Sequence, residues 1–208
     1  LTHIGHSEKM LFMRLFIAIL VLIFCFQTLT KADDLNDFQI EGMSIGENLI
    51  KHAETIGVSV NEIKSYNLFF YPKSKKYAGI SFANKGNFTT FEAVQFTIDP
   101  DTYDIVTIGG KLRSPFKNNM KACHAKQKEI LNDLKLSFDY ERIEEKEVEP
   151  HNYDKTGKST VKETNIILSS GRINLRCTDW AENIGIPDSL TVSILTNEHR
   201  KWLNEEAY

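Results

Sequence analysis

Cys123 and Cys177 are the two cysteines that lie downstream of an N-terminal apolar run, and a bond between them would tie the clearest helix of the chain to the end of a strand. Whether they pair depends on compartment. Arg14 precedes an unbroken apolar run, LFIAILVLIFCF (15–26), and Thr30 and Ala32 follow at a small-x-small spacing. A charged start, a short apolar core and a small-residue exit describe a secretory signal peptide, so residues 1–32 are expected to be a leader cut after Ala32. The run is short of the roughly 20 apolar residues that span a bilayer, and an uncleaved membrane anchor is the alternative. Cys25 falls inside this leader, where bulky Phe24 argues against lipoprotein processing. Met10 or Met13 is a more natural start than Leu1.

Export puts the chain in an oxidising environment, where two remaining thiols read as one disulfide. In the chain-entropy picture a loop of this length is worth about 4 kcal/mol. A catalytic thiol in Cys123-His124 is the rival reading. Adjacent residues on a helix point away from each other, so His124 is poorly placed to activate Cys123.

Removing Lys9, Arg14, Lys31 and Glu8 leaves 22 basic and 27 acidic residues after the leader. An acidic balance of this kind argues against a nucleic-acid surface. Residues 33–208 are long enough for one ordinary domain. No repeat appears at solenoid or propeller periods.

Local patterns give the elements. Ser44, with Glu47 three residues on, predicts an N-cap for a helix running to Gly57, with Leu49, Ile50, Ala53 and Ile56 on its apolar face. Ser59 and Glu62 repeat the device for a second short helix. Strand-like segments follow at 66–72, 76–83, 89–98 and 105–112, with a turn at 99–104. Residues 116–136 carry the clearest helix, with Met120, Cys123, Ile130, Leu131 and Leu134 at helical spacing. The charged stretch 138–160 reads as a solvated strand pair or a loop, its acidic part (141–149) as a solvated face. A hairpin turns at Ser170-Gly171, a further strand covers 188–196, and a terminal helix covers 198–207. The expected fold is α+β: an antiparallel meander, an N-terminal pair of short helices, one long central helix, a C-terminal helix and the Cys123–Cys177 disulfide. Trp180 and Trp202 are assigned to the core.

Catalytic templates were matched in turn. Gly42-Met43-Ser44-Ile45-Gly46 is G-x-S-x-G, the nucleophile elbow of serine hydrolases. That elbow needs strands upstream of it, and Ser44 comes too early in the exported chain to have them. Asp188 and His199 follow in the hydrolase order, so an exported serine hydrolase using Ser44 stands as the alternative function. The segment 45–50 faintly resembles the Gly-Asp-Ser-Leu block of another hydrolase family, but Asn48 occupies the nucleophile position and an amide cannot serve there. Asp99, Asp101 and Asp104 lack the remaining ligands of a calcium loop. His52, His124, His151 and His199 show no zinc spacing. His151 and Asp154 read as a surface turn, and Asn87-Phe88-Thr89 is a glycosylation sequon. No catalytic, cofactor or metal residues are therefore expected. The expected function is a non-enzymatic binding or envelope-associated module, secreted or periplasmic, with possible envelope partners and none of nucleic acid.

The segments 37–50, CHAKQKEI with 172–194, and WLNEEAY (202–208) together resemble small exported proteins of marine alphaproteobacteria of the Pelagibacter type. This resemblance implies export and brings no catalytic residues with it. Ile40-x-Gly42-Met43-Ser44, followed by two short helices and a meander, is similar to the opening of small outer-membrane assembly lipoproteins with a BLIP-like fold. That similarity covers the first half only, and the lipid-bearing cysteine is missing from its proper context.

Overall fold

Antiparallel pairing in one continuous register organises the chain. The computed structural model describes residues 35–83 and 87–208; the expected leader and the cut expected after Ala32 lie outside the described residues. The strands are β1 (Phe69–Phe70), β2 (Ala78–Ala83), β3 (Ala93–Ile98), β4 (Ile105–Leu112), β5 (Arg142–Glu145), β6 (Glu149–Pro150), β7 (Thr160–Ile167), β8 (Gly171–Asp179) and β9 (Ser189–Thr196). They form a single sheet in the order β1-β2-β3-β4-β9-β8-β7-β5, with β6 also on β7. The helices are α1 (Ala53–Ile56), α2 (Val60–Lys64), α3 (Met120–Ser137) and α4 (Asn197–Glu205). The fold is α+β, with α1 and α2 preceding strands β1–β4 and α3 preceding strands β5–β9. The β4–β9 pair joins the two halves.

Side chains alternate across a strand, and the register therefore sorts them into rows. Ile80, Phe96, Ile108, Ile194, Ile173, Ile166 and Ile143 lie side by side across seven strands. Leu49, Ala53, Ile56, Ile63, Leu131 and Leu134 from the helices join this row in one buried cluster. One residue along each strand, the opposite face shows Ser81, Gln95, Gly109, Ser193, Asn174, Asn165 and Glu144. One face of the sheet thus carries α1, α2 and α3, and the other is polar.

Helix α3 forms because 120–137 is rich in Lys, Ala, Leu and Gln, all good helix formers. Asn119 caps it by accepting from the Ala122 N–H. It starts later than the sequence suggests because Pro115 opens a separate 3-10 turn, Ser114–Phe116. Cys123, Gln127, Leu131 and Leu134 make its buried stripe. The Gln127 amide donates to the carbonyls of Lys162 and Leu175, fixing the helix across β7 and β8. One turn away, Cys123 is bonded to Cys177 on β8, with the Cα atoms 6.0 Å apart, among Phe116, Leu190 and Met120. This bond removes the thiol that the Cys123-His124 reading needs.

The N-terminal expectation needs correcting. Ser44 is not an N-cap: the helical segment begins at Leu49 as a 3-10 turn, and Asn48 caps it by accepting from the Ile50 N–H. Glu47 still accepts from the Ser44 N–H at 2.8 Å, so half of the expected capping box exists without its helix. Ile40 and Met43 exchange both backbone hydrogen bonds around Glu41 and Gly42, which sit at φ 53° and 75°. That is a two-residue turn of the primed type, and it accounts for the first glycine of G-x-S-x-G. Ser59 and Glu62 form their capping box as expected. In the 66–72 segment only Phe69–Phe70 pairs, and the charged stretch supplies the short β5 and β6. Trp202 is buried, whereas Trp180 packs at a tilt on His151 and edge-on to Tyr153 outside the main core.

Reducing the disulfide, or the Cys177→Ser variant, should lower stability by about 4 kcal/mol and Tm by roughly 10 °C. A melting curve unchanged by reductant would contradict the tether. Gly171 has no room for a side chain, since a Cβ there would lie 2.2 Å from the Leu195 carbonyl oxygen and 2.5 Å from Leu35. Gly171→Ala should therefore destabilise by about 1–3 kcal/mol, measured by denaturant unfolding.

Candidate functional site

The polar face is partly roofed at one end. The segment from Tyr66 to Tyr77 comes over it beside β1, and α4 returns across it after β9. Trp202 of α4 holds the two together, meeting Tyr71 and Tyr77 edge-on at 4.8 and 4.9 Å. Its indole N–H donates to Ser74. Tyr77 and Lys76 both donate to Glu198 at 3.1 Å. Between this roof and the sheet lies a cavity of about 540 Å³, within the range of roughly 300–1,000 Å³ usual for small-molecule sites.

Its floor is the polar row and its neighbours. Ser81, Gln95, Thr97 and Thr107 come from β2–β4, and Thr191, Ser193, Arg172, Asn174 and Arg176 from β9 and β8. Gly109 lies at the centre, facing Ser193. With no side chain there the floor is lowest at the joint between the two halves. Asn174 donates to Asn165 at 2.9 Å, which locks both amides and leaves Asn165 1% exposed. The lip carries Tyr66, Phe69 and Tyr71; Phe69 is 60% exposed.

Charge on this face is unbalanced. Lys111, Thr191, Arg176 and Glu163 form one cross-strand row, with Arg172 two rows along the same face, beyond Asn174 and Ser193. Glu163 is bonded to Arg176 and to Lys146, at 3.1 Å for the latter. Burial pushes the Glu163 carboxyl up, but those two cations hold it below its ordinary value. Burial and then repulsion from Arg113 and Arg176 push Lys111 down. Burial, followed by repulsion from Arg200, does the same to Arg172. The Arg172 Nε is buried and has no acceptor among the described residues. Lys111, Arg172 and Arg176 thus share this face with two carboxylates, of which Glu163 is held by Arg176 and Lys146 and Glu144 by Arg142.

His199 is the other exceptional group. It lines the cavity, is 2% exposed, and neither ring nitrogen has a partner among the described residues. Its ring packs on Trp202 at 5.3 Å and on Tyr77 at 5.7 Å. Burial lowers its pKa to about 4, outweighing the attraction of Glu198.

The residues singled out from the sequence fall elsewhere or serve structure. The Ser44 hydroxyl donates to the Phe38 carbonyl. Asp188 accepts from the backbone N–H groups of Asn118 and Trp180. His199 sits among aromatic rings, and no hydrogen bond joins these three side chains. Asp99 accepts from Asp101 and Thr102 within its own turn, and Asp104 from Asn48 and Thr102. Asp154 accepts from the backbone and hydroxyls of Thr156 and Ser159, which together hold its carboxyl far below the ordinary range. Among the described residues no three His, Cys, Asp or Glu side chains are grouped as metal ligands.

Sequence reasoning did not single out Arg172, Asn174, Arg176, Thr191 or Ser193. A signal was present: RINLRC alternates polar and apolar residues, as does LTVSIL. Alternation identifies a polar face, but not that α4 folds back over it.

The buried His199 generates a prediction. It is neutral when folded, with a pKa near 4 against an unfolded value of about 6.5. Between those values the unfolded chain binds the extra proton, so stability falls as pH drops from about 6.5 to 4. His199→Phe should flatten this fall, by on the order of 2–3 kcal/mol, in paired urea titrations at pH 7 and pH 4.5. Parallel pH profiles for the two proteins would contradict the assignment.

No known family, curated protein or solved structure matches this chain.

Proposed function

We propose that this chain is an exported binding module of the cell envelope, acting without catalysis, and that its ligand sits on the polar face of the sheet under α4. The observation that carries this reading is the cavity itself. A sheet face that merely meets water needs no roof, and a roof that merely completes a core would cover apolar residues. Here an aromatic-anchored helix covers a floor of amides, hydroxyls and guanidinium groups. The leader-like sequence 14–32 and the Cys123–Cys177 bond both favour an oxidising compartment outside the cytoplasm. The resemblance to exported alphaproteobacterial proteins supports the same placement.

Two measurements test the reading. A thermal-shift screen of sugars, organic acids and amino acids should find a ligand that raises Tm in the native protein. A ligand at a hundred times its Kd contributes about 2.7 kcal/mol. The Ser193→Trp variant fills the centre of the floor and should abolish that shift; an equal shift in both proteins would place the ligand elsewhere. Mass spectrometry of the exported form should show an N-terminus just after Ala32, whereas an intact leader would favour a membrane-anchored form.

A further inference from the structure

We infer that the cavity takes a short saccharide bearing a carboxylate, with the anionic group held by Arg172 and a sugar ring laid on the lip formed by Phe69 and Tyr71. The inference rests on the reading of the cavity as a ligand seat and assigns its chemistry.

A guanidinium carries five donors in a planar fork. Arg176 spends its Nε and one terminal nitrogen on Glu163. Arg172 has no such partner: its Nε is buried without an acceptor among the described residues. The two carboxylates that act on it are both engaged elsewhere, Glu163 with Arg176 and Lys146, and Glu144 with Arg142 at 2.8 Å. A half-buried cation without a counter-ion is destabilising unless something completes it. Arg172 lines the cavity, and its two terminal nitrogens can hold a carboxylate in bidentate fashion.

The neutral part of the floor narrows the class. Gln95, Asn174, Ser193 and Thr107 can each both donate and accept. A sulfate only accepts, and would leave their acceptor atoms idle. Sugar hydroxyls both donate and accept, and match such a floor. At the lip, Phe69 presents its ring to solvent, 5.5 Å from Tyr71. The C–H face of a pyranose is an apolar surface that an exposed aromatic ring covers well. An extended acidic peptide would instead look for a free strand edge, and β3, β4, β9 and β8, which make the centre of the floor, are each paired on both sides.

The test is calorimetric titration of the intact, oxidised protein at low ionic strength with tetragalacturonate, maltotetraose and tetraglutamate. Tetragalacturonate should bind, with affinity falling as salt rises. Arg172→Gln should weaken it by about tenfold or more while leaving Tm unchanged or higher, and Phe69→Ala should weaken it severalfold without altering the salt dependence. Equal binding of maltotetraose would overturn the carboxylate assignment, and binding of tetraglutamate alone would overturn the saccharide. If tetragalacturonate fails to bind while another ligand still loses its effect in Ser193→Trp, the saccharide inference falls and the ligand seat stands. If no ligand distinguishes Ser193→Trp from the native protein, both fall.

Discussion

The continuous register across β4 and β9 is the constraint on which the rest depends. Those two strands join the halves, and six consecutive pairs from Thr107–Leu195 to Leu112–Leu190 keep them aligned. Because side chains alternate strictly, a slip of one residue at this joint would carry Ile108 and Ile194 into the polar face and bring Gly109 and Ser193 into the core. The isoleucine row supplies the energy that forbids such a slip. Each fully buried branched side chain is worth about 1.5–3 kcal/mol, and most of that row is buried. Once the apolar row is fixed, the polar row on the other face is fixed with it. The cavity floor is in this sense a by-product of core packing, placed to the precision of the strand register.

The elements that close the site are held by different interactions. The disulfide and Gln127 clamp α3 to the helix-bearing face and steady β7 and β8 from below. The Tyr71–Trp202–Tyr77 cluster and the Lys76–Glu198–Tyr77 contacts hold the roof. The exposed ion pair adds little alone, so aromatic packing dominates there. His199 is part of that packing and is the weak point of the roof in acid. A charged imidazole cannot remain between Trp202 and Tyr77 without a partner. The same cavity that offers a ligand seat thus borders the group through which low pH loosens it.

Much of the fold was legible in the sequence because its signals are local. Ser59 with Glu62, the helical spacing of Cys123, Leu131 and Leu134, the β7–β8 hairpin (its loop residues are Ser169 and Ser170, one position before the expected pair) and the paired cysteines each act over a few residues or through covalent chemistry. The failures have physical causes. Ser44 with Glu47 looked like a capping box, but the backbone at 40–43 turns back on itself and Ile105 captures the N–H of Gly46. Tertiary hydrogen bonding to β4 therefore delays the helix to Leu49. The site was hidden for the same reason. Arg172 and Ser193 are ordinary outward-facing strand residues until α4 crosses above them, and Lys111 joins Arg176 only through the pairing of β4, β9 and β8.

The account makes the polar floor, and not the helix-covered face or the turn at Ser44, the surface that meets a ligand. Nuclear magnetic resonance of the labelled protein during titration with an oligouronate reads this directly. Amide shifts concentrated at Gly109, Thr191, Ser193, Arg172 and Asn174, with the Trp202 indole following, are the expected result. Shifts confined to α3 or to residues 40–48, with the floor strands silent at saturation, would contradict it.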